Sequence, residues 1–147
     1  MSAESRNEVE TTVLAQAGLS HEDLYNSAKY IQSIRMGLPG SVERSLIEAL
    51  HIPRFVVSGI LKVDESNIAR LYQRPRVSET QSESIMDTTR LLLKAVHLFG
   101  DQERASEWLQ TPVPALGNAR PYEVIDTFEG RKWIDQVLTQ IECGEFM

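Results

Sequence analysis

One cysteine, Cys143, stands in 147 residues. No intramolecular disulfide framework and no cage built from cysteine alone is open to this chain. No run of 18 apolar residues occurs, and the acidic opening MSAESRNEVE lacks the basic, then apolar, character of a secretory leader. A soluble protein of a reducing cytoplasm, with no membrane partner, is the expectation. Strands are missing from the pattern too: no segment sustains period-two alternation, and β-branched residues do not cluster. No glycine-rich phosphate loop occurs, because the glycines fall at predicted helix ends. His21, His51 and His97 share no helix turn with another ligand type, so neither metal nor cofactor is expected. Cys143 has no neighbouring base to lower its pKa. No catalytic residue is assigned, and an enzyme is not the reading.

What is present is helical. A chain of this length can bury roughly 70% of its unfolded surface, and it has ordinary shares of hydrophobic (41%) and charged (24%) residues. Residues 1–10 read as a frayed terminus. Ser20, with an acid three residues on, starts a helix whose inner face would carry Leu24, Ala28, Ile31 and Ile34, ending at Gly37. Ser41 caps a second, with Val42, Leu46, Ile47 and Leu50 as its stripe. Pro53 opens a short helix to Leu61, and Glu65–Gln73 forms the next. Ser78 and Gln81 make a capping box for a long helix striped by Ile85, Thr89, Leu92, Leu93, Val96 and Phe99, ending at Gly100. Asp101 caps a helix to Leu109, a Pro- and Gly-containing loop follows, and a last helix from Thr127 to Ile141 would turn Trp133, Val137, Leu138 and Ile141 inward. Trp108, Leu109 and Trp133 are read as core.

The net charge of −6 disfavours nucleic acid on average, but the charge is unevenly spread. Residues 1–25 net −4 and residues 84–147 net −4, whereas residues 54–76 net +3. That basic island coincides with the two short helices at 53–73, which have the length of a helix-turn-helix unit. Val57, Leu61, Val63, Ile68 and Leu71 would pack them, with small Ser58 at the crossing. Ser66, Asn67 and Arg70 would face a major groove, and Arg74 and Arg76 its phosphates. Lys62 fills the turn position that glycine often takes, and Asp64 and Glu65 would repel DNA. An ordinary helical hairpin is the alternative.

The C-terminal third carries a specific combination: Phe99-Gly100-Asp101, Ala105, Trp108-Leu109, Pro112, Leu116-Gly117, Pro121, Thr127, Gly130, Val137-Leu138, Ile141 and Gly144. Upstream lie Gly37-Leu38-Pro39, Ser41-Val42 and Arg76-Val77-Ser78. Over residues 30–144 the chain resembles the ParS/MbcA/Xre antitoxins, partners of RES-domain toxins. The resemblance implies a two-part antitoxin, and the all-α chain is divided accordingly into an N-terminal helical segment (1–40), an Xre/Cro-like helix-turn-helix (41–83) and a toxin-binding domain (84–147). It implies neutralisation of a toxin that consumes NAD or transfers ADP-ribose, by covering its active-site cleft, and repression of the chain's own operon at an operator. Arg120 and the tail residues Glu142, Gly144, Glu145 and Phe146 are the expected toxin contacts. A homodimer within a toxin–antitoxin hetero-oligomer is expected, with helices from Thr11 to Ile34 as its surface by elimination. The rival readings are a stand-alone transcription regulator and a protein-only adaptor.

Overall fold

A computed structural model describes residues 3–144, with side chains from residue 8 onward. The elements are α1 (Ala3–Ala17), α2 (His21–Tyr25), α3 (Ser27–Met36), α4 (Gly40–Ala49), α5 (Arg54–Leu61), a 3-10 turn (Glu65–Asn67), α6 (Ile68–Tyr72), α7 (Glu79–Phe99), α8 (Gln102–Leu109), a 3-10 turn (Pro114–Leu116), α9 (Pro121–Val124) and α10 (Phe128–Glu142). The fold is all-α, with no strand among the described residues. No helix is long and apolar enough to cross a membrane among those residues.

α7 is the strut. Ile85, Met86, Leu91, Leu92, Leu93, Ala95 and Val96 are buried, and α1, α3, α4, α5, α8 and α10 all pack on it. Its N-terminus is the expected capping box, Ser78 with Gln81, and Gly100 ends it in the left-handed conformation. Its buried hydroxyls are largely put to use. Thr89 donates to the Ile85 carbonyl (2.7 Å), and the Ser82 hydroxyl accepts from the Leu38 N–H (2.8 Å). α10 is pinned by Arg131, which is 6% exposed. Its Nε donates to Asp87 (2.7 Å) and its Nη1 to the Ile125 carbonyl (3.0 Å).

Several expectations need correction. The N-terminus is not frayed over its first ten residues: α1 starts at Ala3, and its Val13, Leu14 and Ala17 are buried, the helix packing chiefly on α4. Glu10 holds α2 against it, accepting from the Tyr25 hydroxyl at 2.9 Å and standing 3.2 Å from His21 Nδ1. The helix expected from Ser20 to Gly37 is two helices, broken at Asn26, whose side chain caps α3. The break changes the phase, so Ala28 and Ile31 are exposed rather than inward. The predicted helix 65–73 is a 3-10 turn followed by the five residues of α6. Trp133 is exposed, not core. The inner stripe of α10 is Ile134, Val137 and Leu138 with Ile141 half-buried, and Trp133 lies about 100° outside it.

Two side chains sit against local preference. Lys62 is left-handed (φ 57°, ψ 43°), a conformation costing a non-glycine residue about 1–2 kcal/mol. Its Nζ reaches across to α9–α10, donating to the Asp126 carbonyl at 3.2 Å and lying 3.6 Å from its carboxylate. Glu43 on α4 is fully buried, and neither carboxyl oxygen has a hydrogen-bond partner among the described residues. Burial alone pushes its pKa from 4.5 up to about 8.

Two outcomes follow. The folded state keeps the Glu43 proton that the unfolded chain releases above pH 4.5. The stability this confers is complete below that pH and is lost as pH rises through about 8. Glu43→Gln, which mimics the protonated form, should show a Tm advantage over the parent that widens from pH 5 to pH 8.5 in thermal melts followed by circular dichroism. At Lys62 the strain outweighs an exposed ion pair, worth at most about 1 kcal/mol. Lys62→Gly should therefore stabilise by about 0.5–1 kcal/mol, and Lys62→Ala, which keeps the strain and loses the contact, should destabilise.

Candidate functional site

Two surfaces emerge. The first is built by α5, its turn and α6. Val57, Leu61, Ile68 and Leu71 are buried between them and Val63 is half-buried. Ser58 at the crossing donates to the Val63 carbonyl (2.6 Å), closing the turn. Gly40 lets α4 approach α6: a Cβ there would stand 2.4 Å from the Leu71 carbonyl oxygen. Arg54, on α5, donates to the Glu65 carbonyl (2.8 Å) and ties down the 3-10 turn. The sequence reading did not single out this bond.

Ser66, Asn67, Arg70, Arg74 and Arg76 are all exposed. Asn67, Arg70 and Arg74 come together with Lys62, Val63, Asp64 and Leu71 around one shallow hollow of about 370 Å³. Three cations thus border a single concavity, with Asp64 as the opposing charge. Ser66 is not part of that wall. Arg76 is engaged elsewhere, donating to the Gly37 carbonyl (3.0 Å) and so bracing the turn between α3 and α4.

The second surface lies on the C-terminal elements. Between α8 and α9 the loop is knotted by its own backbone. The Val113 carbonyl accepts from Leu116 and Asn118, and the Val113 N–H donates to Ala119. Buried Val113 and Leu116 plug it into the core, while Gly117 and Asn118 are successive left-handed residues (φ 65° and 67°) held outward. The rim of the Trp133 ring lies 3.9 Å from where a Gly117 Cβ would stand. Trp133, 40% exposed, and the loop therefore form one continuous rigid patch. Gly130 makes this possible: a Cβ there would fall 1.6 Å from the Val124 carbonyl oxygen. Only a residue without Cβ lets α10 leave the α9 turn so closely, with Thr127 capping the Gly130 N–H at 2.9 Å.

Arg120 is exposed at the start of α9 and pairs with Glu123 (3.1 Å). Glu142 ends α10 and lines a groove with Tyr25 and Phe128. Gly144 is exposed and left-handed (φ 72°). Glu145 and Phe146 lie outside the described residues. The structure brings neither Arg120 into that groove nor Glu142 into the Trp133 patch. Phe128 and Trp133 are the exposed aromatics among the described residues of the C-terminal half, and neither was foreseen as a surface residue. The signal for Trp133 was available: Ile134, Val137, Leu138 and Ile141 keep an i, i+3, i+4, i+7 stripe that excludes it.

Residues 94–144 match the family model described as the antitoxin Xre/MbcA/ParS C-terminal toxin-binding domain. The matched span contains the whole Trp133 patch and α10. The chain is 27% identical over 123 residues, 77% of each chain, to the Prs ADP-ribosylating antitoxin of Sphingobium sp. (strain YBL2). It is 27% identical over 118 residues to an antitoxin Xre of Yersinia enterocolitica, covering 79% of this chain and 80% of that one. It is 32% identical over 65 residues, 44% of each chain, to an antitoxin Xre of Photorhabdus laumondii. Residues 94–144 thus match the family's C-terminal toxin-binding domain, and over about three quarters of its length the chain is similar to proteins named as antitoxins.

Proposed function

We propose that this antitoxin neutralises a RES-domain toxin that consumes NAD or transfers ADP-ribose, covering the toxin's active-site cleft, and that it represses its own operon through a helix-turn-helix at 53–73. The observation that carries the first half is the overlap of the toxin-binding family match, 94–144, with a preorganised exposed patch around Trp133. A buried-loop scaffold holding a half-exposed tryptophan beside Gly117 and Asn118 costs little ordering on binding, and tryptophan is a frequent interface anchor. The ADP-ribosyl chemistry named for the Sphingobium relative fits a toxin of that class. An NAD-using partner places the pair in the bacterial cytoplasm. Arg120 and the tail from Glu142 through Phe146 extend the contact, the acids facing the basic groups of a cleft built for an anionic dinucleotide.

For DNA, Asn67, Arg70 and Arg74 around one hollow form the reading head, Arg70 toward base edges and Arg74 toward phosphate. Arg54 and Ser58 stiffen the unit from behind. α6 is short, so one copy makes few contacts, and a two-fold pair reading half-sites about 34 Å apart is the working form. Asp64 in the same hollow is the observation that favours a protein-only adaptor, and the mobility shift below separates the two readings.

Cells expressing the RES-type toxin from a neighbouring gene should survive when this chain is co-expressed. Trp133→Ala should abolish rescue, weakening the complex by about 30-fold or more, while melting near the parent temperature. Deletion of residues 142–147 should also cost rescue, and failure of the intact chain to rescue would overturn the reading. In gel shifts with the DNA upstream of its own gene, Arg70→Ala should cost about 1–3 kcal/mol and relax base preference. Arg74→Ala should weaken all sequences alike and lower the salt slope by about one.

A further inference from the structure

Wherever else a described helix of this chain is preceded by serine, threonine, aspartate or asparagine, the side chain caps it. Ser20, Asn26, Ser78, Asp101 and Thr127 each accept a backbone N–H of the first turn. The bond satisfies a donor that the helix leaves open, which is why these residue types are favoured there. Asp64 stands in the same position before the 3-10 turn and Asn67 before α6, and neither side chain makes a cap bond. Both of these idle side chains line the hollow that Lys62, Arg70 and Arg74 border.

The backbone beneath them is not slack. Three successive carbonyls are held: Val63 accepts from the Ser58 hydroxyl (2.6 Å), Asp64 from the Asn67 N–H (2.8 Å) and Glu65 from Arg54 (2.8 Å). Asp64 is therefore fixed on both sides while its carboxylate is exposed and has no hydrogen bond or ion pair among the described residues. The surrounding cations do not quench it. Lys62 is spent on Asp126 (3.6 Å), and Arg70 and Arg74 form no ion pair among the described residues. An acceptor kept unpaired among cations, on a braced backbone, is preorganised for a donor from outside.

We propose that Asp64 is a specificity-determining residue: its carboxylate accepts from the N4 amino group of a cytosine in the operator half-site, beside the base edge that Arg70 meets. This rests on the operator-binding reading given above and deepens it. In the major groove guanine presents O6 and N7 and thymine presents O4, all acceptors that repel a carboxylate. Adenine offers its N6 amino group with the N7 acceptor next to it, whereas cytosine offers its amino group and no acceptor. Arg74 attracts every phosphate backbone alike, and Asp64 makes each wrong base costly, which is how a repulsive group creates selectivity. The acid that opposes DNA by charge alone thus turns a cationic hollow into a discriminating one. Glu65, its neighbour, carries the same charge but does not line the hollow, so it acts on all sequences alike.

Gel shifts of the full chain test this, using the DNA upstream of its own gene and duplexes in which each base pair of the half-site is replaced in turn. One C·G pair is expected whose change to T·A weakens the parent about tenfold or more. In Asp64→Ala the same change should cost less than about twofold, while unrelated duplex binds more tightly than it does to the parent. Asp64→Asn should move the preference at that position toward adenine, the base an amide pairs with. Glu65→Ala should strengthen binding to all duplexes and leave the preference as it was. Asp64→Ala should melt with the parent, since the side chain holds nothing in the fold. Base preference that survives Asp64→Ala, or a gain spread evenly over all sequences as in Glu65→Ala, would overturn the proposal and leave operator binding standing. Absence of binding by the parent and by Asp64→Ala, even at low salt, rejects the operator reading and the proposal together.

Discussion

Everything in this fold depends on the burial of α7. A helix from Glu79 to Phe99 is buried on most of its circumference, and helices from the N-terminal, middle and C-terminal parts of the chain all rest on it. Such a helix must be apolar nearly all round, with its few polar groups satisfied. Ser82 and Thr89 meet that demand with hydrogen bonds to Leu38 and Ile85, whereas the buried Thr88 hydroxyl has no hydrogen-bond partner among the described residues. Its exposed positions, Glu79, Thr80 and Glu83, lie in its first turns.

Because α7 is shared, the two candidate surfaces belong to one core rather than to beads on a string. The turn after α5 touches the C-terminal elements directly. Lys62 reaches Asp126, Gln81 at the head of α7 donates to the Leu61 carbonyl, and Phe55 meets Tyr122 edge to face. A left-handed lysine is tolerated there because its side chain has somewhere to go. The contact offsets part of the strain and links the basic hollow to the segment that matches the toxin-binding family model. A net charge of −6 conceals this arrangement, since it averages a basic island with two acidic ends.

Helix starts were legible because capping is local. Ser20, Ser78, Asp101 and Thr127 each accept from a backbone N–H within three residues, which short-range pattern can reveal. The long stripe of α7 was legible because every turn repeats the same demand. The N-terminal region was not, because α1 is weakly amphipathic: among its described residues three apolar side chains are buried, and it is held chiefly by α4 and by Glu10 holding Tyr25. The single helix expected from Ser20 failed at Asn26, where a cap that serves α3 also ends α2.

The sequence by itself determined the helical class, the caps, the basic island and the likeness to the Xre/MbcA/ParS antitoxins. Each rests on spacing along the chain or on composition within one segment. The tertiary structure decided which aromatics face outward, that Arg76 braces a turn while Arg70 and Arg74 share a hollow, and that Glu43 is buried with no hydrogen-bond partner among the described residues. These are questions of which distant segments meet, and a one-residue difference in phase, as between Trp133 and Ile134, swings a side chain by about 100° from surface to core.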